Sequence, residues 1–395
     1  MKRNGKEYSK FTFQNPTKIL FGKKRIEEID NEIPKDAKVL ILYGGGSVKK
    51  NGAFERAVLA LGGRDWDEFS GIEANPTFET LMKAVHKVRE GGFTYLLAIG
   101  GGSVIDGTKF VSAASLFEGD PIDLFGWGIG KGLPVQEVVP FGTILTLPAT
   151  GSEMNSGAVI SFVEKNAKVS FRGPKTFPVF SVLEPELTYT LPERQLVNGL
   201  LDSFIHVMEN YLTYPVGGIL QDRYAESILQ TLIEIAPRII DINHIDYNDR
   251  ATFMWCATNA LNGTINLGVP TDWSSHALGH EITLNHGLDH GRTLSIVLPA
   301  MMKVRKNQKW DKLVQYGKRV WGLDGEENEV VEQAIINTEK FFSSLGAPTR
   351  FSDVGLGEEV IPALVEGLKR HKKVALSEHG DVTPEVAYEV YKTAL

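Results

Sequence analysis

An aspartate and a histidine lie four residues apart in the stretch LDSFIHVMEN, which runs from Leu201 to Asn210. The residues around them are mostly apolar and typical of a helix. On a helix this spacing places Asp202 and His206 on the same face. The two side chains could be solvated, paired with each other, or two ligands of one metal ion, and the pair alone does not decide among these.

A second group of candidate ligands occurs in the stretch HALGHEITLNHGLDH. Its four histidines are His276, His280, His286 and His290. The stretch is not the H-E-x-x-H motif of zinc hydrolases, because Glu281 follows the second histidine instead of the first. Together with the first pair, these imidazoles predict a site for Zn²⁺ or Fe²⁺, which nitrogen and oxygen ligands suit. A single histidine would more often be an ordinary core residue, and the spacing does not select the four ligands.

The glycine-rich stretch AIGGGSVIDGTK follows a strand-like run and opens a helix-like one. Backbone N–H groups of bare glycines at the start of a helix favour a phosphate group. Lys109 stands in the wrong position for the phosphate-binding loop of nucleoside triphosphatases, which disfavours that class. The loop therefore predicts a phosphate-binding site, and the alternative is a tight turn between a strand and a helix.

A second loop, LYGGGSVKK, bears on the choice of nucleotide. Gly44, Gly45, Gly46 and Ser47 occupy the place where many nicotinamide enzymes carry an acidic residue for the ribose 2′-hydroxyl. A carboxylate would repel a 2′-phosphate, whereas glycines and a serine followed by Lys50 would accept one. The loop predicts NADP(H) in preference to NAD(H), and the alternative is a flexible turn with solvated lysines.

Apolar runs that end in glycines alternate with helical patterns in the first half of the chain, as in KVLILYGGG and FTYLLAIGGGS. This alternation predicts βαβ units and a mostly parallel sheet. After Pro192 the patterns are long and helical. We therefore expect an α/β dinucleotide-binding domain with a parallel sheet over residues 1–190. An all-α domain that binds the metal and the substrate is expected over residues 191–395.

Composition and charge argue against several classes of protein. A chain of 395 residues with a net charge of −7 is long enough for two domains, and it is not expected to bind nucleic acid or an anionic membrane. No run approaches the ~18 apolar residues of a membrane span. The basic N-terminus has no apolar segment of a secretion signal, and a single cysteine suits a reducing compartment. These features predict a cytoplasmic protein.

Several motifs together resemble the iron-activated alcohol dehydrogenase family, and within it the branch of NADPH-dependent aldehyde reductases and butanol dehydrogenases. The matching stretches, spread over nearly the whole chain, are GGGSVIDGTK, LPATGSE, DSFIHVMENY, DWSSHALGHE and HGLDHGRTLSIVLP. The resemblance implies a dinucleotide-binding domain followed by a helical domain that holds the metal. The metal ligands that it implies are Asp202, His206, His276 and His290. His280 matches a residue near the metal, and His286 is not a ligand position.

The resemblance also implies residues that contact the cofactor. In chain order they are Gly101, Gly102 and Ser103 of the pyrophosphate loop, the neighbouring Asp106, Thr146, Leu147 and Thr150 along the cofactor, and Lys168 near the ribose. The glycines at 44–46 replace an aspartate that is more common in the family. The NADPH-preferring branch shares this departure, which agrees with the interpretation of the second loop. The LPATGSE turn is shorter than the common form.

The activity that the resemblance implies is hydride transfer between NADP(H) and short- to medium-chain aldehydes or primary alcohols. One divalent metal, Fe²⁺ or Zn²⁺, would act as a Lewis acid. His280 is the candidate catalytic residue, in a relay that delivers a proton to the product. Members of this branch are commonly homodimers.

Three alternatives use the same features. One is a polyol or glycerol dehydrogenase, and another is a lyase that resembles dehydroquinate synthase. The lyase would need a pocket for phosphate and carboxylate groups, and the candidate region offers few arginines beyond Arg292. The third is a non-catalytic protein that senses a nucleotide or a metal.

Overall fold

Six parallel strands form the central sheet of the N-terminal half. The computed structural model describes residues 7–395. Its strands are β1 (Lys18–Phe21), β2 (Val39–Tyr43), β3 (Trp66–Phe69), β4 (Tyr95–Gly101), β5 (Phe141–Leu147), β6 (Gly157–Phe162), β7 (Ala167–Arg172) and β8 (Phe180–Leu183). The sheet has the order β1-β8-β5-β4-β2-β3 with parallel neighbours throughout, while β6 and β7 form a separate antiparallel pair.

The central strands are apolar because both faces of the sheet are covered. Every residue of β2, with the sequence VLILY, is buried. Leu40 and Leu42 pack into one hydrophobic cluster, whereas Ile41 and Tyr43 pack into another. Successive side chains of a strand point to opposite faces, so a parallel strand covered on both sides needs an apolar residue at every position.

Helices follow the strands of the sheet. They are α1 (Ser47–Lys50), α2 (Ala53–Leu61), α3 (Phe78–Gly91) and α4 (Gly102–Leu116). The hydroxyl of Thr77 accepts a hydrogen bond from the N–H of Thr80 and so caps the start of α3. Helix α4 begins at the residue that follows β4, so the glycines at 100–102 form the turn between strand and helix.

The C-terminal half is helical. Its helices are α5 (Glu193–Tyr211), α6 (Ile219–Ile240), α7 (Tyr247–Ala260), α8 (Ser274–His286), α9 (His290–Val304), α10 (Trp310–Arg319), α11 (Glu327–Ser344), α12 (Ile361–Arg370) and α13 (Pro384–Thr393). A hydrophobic cluster that includes Leu278, Ile296, Leu364 and Tyr391 joins α8, α9, α12 and α13. Between residues 193 and 395 the described chain has one isolated β-bridge, Leu376 with Val382, and otherwise helices as its regular elements.

Two units make up the chain. One comprises Gln14–Pro192 and Ile245–Thr258, and the other comprises Glu193–His244 and Asn259–Leu395 together with residues 7–13. No helix within residues 7–395 is both long enough and apolar enough to cross a lipid bilayer. The predicted fold class, a parallel α/β region followed by a helical one, is confirmed.

Candidate metal centre and cofactor loops

Helix α5 places two polar side chains in an apolar interior. Leu200, Leu201, Phe204 and Ile205 are buried along this helix, and Asp202 and His206 are buried among them with 4% and 5% of their surface exposed. A carboxylate in such surroundings is destabilised unless a partner compensates for its lost hydration. Helix α5 therefore buries the negative charge of Asp202, and this charge requires a positive charge close by.

Three imidazole nitrogens surround that carboxylate. Oδ1 of Asp202 lies 3.7 Å from Nε2 of each of His206, His276 and His290. These separations are too long for hydrogen bonds. Four ligands at about 2.0–2.2 Å from one tetrahedral cation would be about 3.3–3.6 Å apart. The three distances from Oδ1 of Asp202 are therefore close to those in the coordination shell of one small cation, although His206 does not belong to the group of ligand atoms that all lie within 4.8 Å of one another.

The hydrogen bonding of the candidate ligand atoms also fits a metal ion. Oδ1 of Asp202 and Nε2 of His276 are both buried, and neither atom has a hydrogen-bond partner among the described residues. Ligand atoms of Asp202, His276 and His290 all lie within 4.8 Å of one another. A divalent cation would satisfy the buried oxygen and nitrogen atoms that the protein leaves without partners, so these residues fit Fe²⁺ or Zn²⁺.

Burial and neighbouring charges set the protonation states of Asp202, His206 and His276. Burial alone would raise the pKa of Asp202, but the surrounding imidazoles outweigh it and hold that pKa well below its usual value. Burial lowers the pKa of His206 to about 4. Although burial also disfavours a charge on His276, the carboxylate of Glu209 raises the pKa of that ring to about 9. An ionised Asp202 and a neutral His206 are the forms that coordinate metals.

The start of α9 is held against α5. Asp289, which precedes His290, accepts hydrogen bonds from Nε of Arg194 at 2.7 Å and from Nδ2 of Asn198 at 2.9 Å. A Cβ atom on Gly291 would lie only 2.6 Å from the carbonyl oxygen of Asn198. The absence of a side chain at residue 291 thus lets the first turn of α9 approach α5 closely enough to bring His290 beside Asp202.

His280 and His286, the two other histidines of the stretch from His276 to His290, occupy different positions. The ring of His280 is half-buried, and its centroid lies 5.0 Å from that of His290 and 6.4 Å from that of His276. His286 is exposed at the end of α8. The structure therefore brings His280, but not His286, to the edge of the cluster.

One buried carboxylate near the cluster was not among the predicted site residues. Glu209 lies on α5 and contacts Nδ1 of His276 with its Oε2. It follows His206 by three residues and Asp202 by seven, so all three side chains share one face of the helix. That spacing was the signal in the sequence.

The glycine loops lie at the carboxyl ends of adjacent strands, where ligands of parallel sheets bind. Strand β4 pairs with β2 on one side and with β5 on the other. The loop at 44–47 follows β2, and the loop at 100–103 follows β4. A Cβ atom on Gly102 would be 2.3 Å from Oγ1 of Thr150, so the turn after β5 packs directly on the start of α4.

The remaining predicted cofactor residues are distributed around these loops. Thr146 and Leu147 end β5, and Ser103 donates a hydrogen bond to the carbonyl oxygen of Ala74. Lys168 is buried and donates to Oδ1 of Asn75 at 2.9 Å, while Lys50 is exposed on α1. The structure therefore places Leu147 and Thr150 against the glycine loop at 100–103, with Thr146 next to Leu147 on β5.

Two charged residues of the glycine motif have partners inside the fold. Asp106 accepts hydrogen bonds from Oγ of Ser152 at 2.5 Å and from the N–H of Val159 at 2.8 Å. Lys109 is fully buried and donates to Ser152, Asn155 and the carbonyl oxygen of Gly157. These contacts tie α4 to β6 and to the segment between β5 and β6.

Comparison with known proteins agrees with the fold and identifies the family. The model of the iron-containing alcohol dehydrogenase family matches residues 16–185, and the model of the C-terminal region of the Fe-containing alcohol dehydrogenase family matches residues 196–395. The chain belongs to the iron-containing alcohol dehydrogenase family. The resemblance predicted from the motifs is confirmed.

Two relatives and one further structure define the similarity more closely. NADPH-dependent aldehyde reductase YqhD of Escherichia coli is 49% identical over 97% of this chain and 99% of its own. NADH-dependent butanol dehydrogenase B of Clostridium acetobutylicum is 38% identical over 96% of this chain and 97% of its own. The crystal structure of NADH-dependent butanol dehydrogenase A from Thermotoga maritima, 33% identical, superposes with a TM-score of 0.92 over 98% and 99% of the two chains.

Replacement of Gly291 with alanine tests how His290 is positioned. The added methyl group would cost about 1–3 kcal/mol of overpacking, which a shift of the first turn of α9 relieves. We expect the affinity for Zn²⁺, measured by competition with a chromophoric chelator, to fall about tenfold. Gly317→Ala is the matched control, because its Cβ atom would lie 2.5 Å from Cγ1 of Val330 on α11.

The control should lower the melting temperature and leave the affinity for Zn²⁺ unchanged. Unaltered zinc affinity in the Gly291→Ala protein would show that the close approach of α9 to α5 does not position His290.

Proposed function

We propose that this protein is a metal-dependent, NADPH-linked alcohol dehydrogenase and aldehyde reductase. Its substrates would be short- to medium-chain aldehydes and primary alcohols. The observation that carries the proposal is the convergence of three Nε2 atoms at 3.7 Å from Oδ1 of Asp202. The similarity to an NADPH-dependent aldehyde reductase over nearly the full length of both chains supports the choice of reaction.

The residues that would hold the metal are Asp202, His206, His276 and His290. One carboxylate with three imidazoles is a ligand set that accepts both Fe²⁺ and Zn²⁺. When bound, such an ion acts as a Lewis acid that polarises the carbonyl oxygen of an aldehyde. The burial of Asp202 favours this role, since charges interact more strongly where water is excluded.

The cofactor would bind at the glycine loops of the first unit. Gly101, Gly102 and Ser103 stand at the start of α4, where backbone N–H groups favour a pyrophosphate. The loop at 44–47 has no carboxylate to repel a 2′-phosphate, and Lys50 adds a positive charge to it. In this proposal residues 1–190 bind the cofactor, and residues 191–395 bind the metal and the substrate.

His280 would exchange the proton that the reaction requires. Its ring is half-buried and 5.0 Å from that of His290, so it has access to solvent while lying at the edge of the cluster. Imidazole can bind and release a proton near neutral pH. A cytoplasmic location and a homodimer stay predictions from the sequence.

Oxidation of NADPH by butanal tests the proposed function. We expect loss of the absorbance of the reduced nicotinamide with the intact protein, little loss after the metal has been chelated, and recovery when Fe²⁺ or Zn²⁺ is added. Binding of NADPH without turnover would favour a sensor. Full turnover after metal analysis has verified removal of the ion would contradict a metal-dependent reductase.

Replacement of Gly45 with aspartate tests the preference for NADPH. Residue 45 is exposed, and a Cβ atom there would meet no other atom within 4 Å, so the side chain fits. Repulsion of the 2′-phosphate should raise the KM for NADPH about tenfold or more and change that for NADH much less.

Gly63→Asp is the control for this experiment, because it adds the same charge at an open, exposed position before β3. If the ratio of the KM for NADPH to the KM for NADH is the same in the Gly45→Asp and Gly63→Asp proteins, the loop at 44–47 does not select the nucleotide.

Replacement of His280 with alanine tests the proton exchange. Removal of a general acid or base typically lowers kcat by about 10²–10⁴-fold. We expect such a loss with metal content unchanged, and partial recovery when free imidazole is added. His286→Ala removes an exposed histidine of the same helix and should keep wild-type activity. Full activity of His280→Ala across the pH range would exclude His280 from the reaction.

A further inference from the structure

A third polar residue shares the metal-facing side of α5. Asp202, His206 and Glu209 occupy positions i, i+4 and i+7 of the helix, and Glu209 has only 3% of its surface exposed. A buried carboxylate is stable only when neighbouring groups compensate for the hydration that it loses. The groups that do so here belong to α8.

Glu209 binds the first turn of α8 with both of its oxygens. Oε1 accepts hydrogen bonds from the backbone N–H of Ser275 at 2.6 Å and of His276 at 3.3 Å, and Oε2 contacts Nδ1 of the His276 ring. The first N–H groups of a helix have no acceptor within it. The side chain of Trp273, at the N-cap position, does not supply one. Glu209 therefore caps α8 from a different helix and holds the ring of His276.

This contact fixes which nitrogen of His276 carries the proton. An ionised carboxylate only accepts hydrogen bonds, so Nδ1 beside it must be the donor. The lone pair of the neutral ring then lies on Nε2, the atom that is 3.7 Å from Oδ1 of Asp202. That is the tautomer in which Nε2 can coordinate a metal, and carboxylates commonly orient metal-binding histidines in this way.

The charge of Glu209 also suits a divalent ion. When the imidazoles are neutral, which is the form that coordinates a metal, the carboxylates of Asp202 and Glu209 carry two negative charges between them. A cation of charge +2 would leave the buried group as a whole neutral, which reduces the cost of burying it.

We propose that Glu209 is a positioning residue of the metal centre: it sets the tautomer and orientation of His276 and thereby the affinity for the divalent metal. This inference rests on the proposed metal site and adds a residue to it that does not touch the metal.

A second buried pair of glutamate and histidine supplies a matched control. Oε1 of Glu281 lies 2.8 Å from Nδ1 of His371, and Glu281 is fully buried. His371 lies on none of the helices that carry the candidate ligands, and it follows α12 directly. Loss of the Glu281 charge should therefore disturb packing and hydrogen bonding in the same unit without altering the coordination of His276.

Glu209→Gln is the decisive substitution. An amide of the same shape cannot accept from both the backbone N–H groups and Nδ1, because one of its two ends is an NH₂ donor. We expect the Kd for Zn²⁺ of the full-length protein to rise about 10–100-fold, as is typical when such a partner is lost. Glu281→Gln should lower the melting temperature and keep the wild-type Kd.

The visible absorption of the cobalt-substituted protein provides a readout that a purely structural role would not change. The bands of bound Co²⁺ report its ligands, so they should shift in Glu209→Gln and coincide with those of the wild type in Glu281→Gln. If Glu209→Gln does not fold, Glu209→Asp keeps the charge but shortens the reach, and it should also weaken Zn²⁺ binding and shift the bands.

Wild-type affinity and wild-type cobalt bands in either Glu209 variant would overturn the inference and leave the metal site standing. A wild-type protein that binds neither Zn²⁺ nor Co²⁺ would overturn the proposed function and this inference with it. Equal losses of affinity in the Glu209 and Glu281 variants would assign Glu209 a structural role only, and would also overturn it.

Discussion

The burial of one carboxylate in an apolar helix is the constraint on which the rest of the site depends. Asp202 is buried on α5, whose other buried residues include leucines and a phenylalanine, and its Oδ1 has no hydrogen-bond partner among the described residues. A negative charge in such a place is tolerated only if a positive charge is supplied close by. Three imidazole nitrogens lie at equal distances from that oxygen and could bind a cation together with it.

Close backbone contacts and hydrogen bonds between helices hold the histidines near Asp202. Gly291 lets α9 approach α5, and Asp289 ties the same turn to Arg194 and Asn198. Glu209 connects α5 to the first turn of α8. His276 and the turn that carries His290 are therefore held by contacts that do not involve the metal, and such contacts orient metal-binding side chains.

The sequence alone was informative where the chemistry is local. Asp202 and His206 are one helical turn apart, and the apolar runs that end in glycines predicted the parallel sheet and the positions of its loops. The choice among four clustered histidines was not local. His286 ends α8 in solvent, whereas His290 begins α9 beside α5, and only tertiary packing separates them. Motif resemblance therefore had to supply the ligand set.

Two further features could not be predicted because they depend on contacts far apart in the chain. A glutamate in a helix is usually solvated, and Glu209 is buried only because α8 packs against it. Asp106 belongs to a motif associated with the cofactor, yet its oxygens accept hydrogen bonds from Ser152 and Val159, more than forty residues away. Spacing places Glu209 on the helix face of Asp202 and His206, but neither spacing nor residue type shows that a side chain is buried or which distant residue it contacts.

The most direct test of the central claim is anomalous X-ray scattering from crystals of the metal-loaded protein. The account predicts one strong peak at about 2.0–2.2 Å from Oδ1 of Asp202 and from Nε2 of His206, His276 and His290. A peak on other residues, or metal-replete crystals in which these four atoms bind nothing, would contradict it.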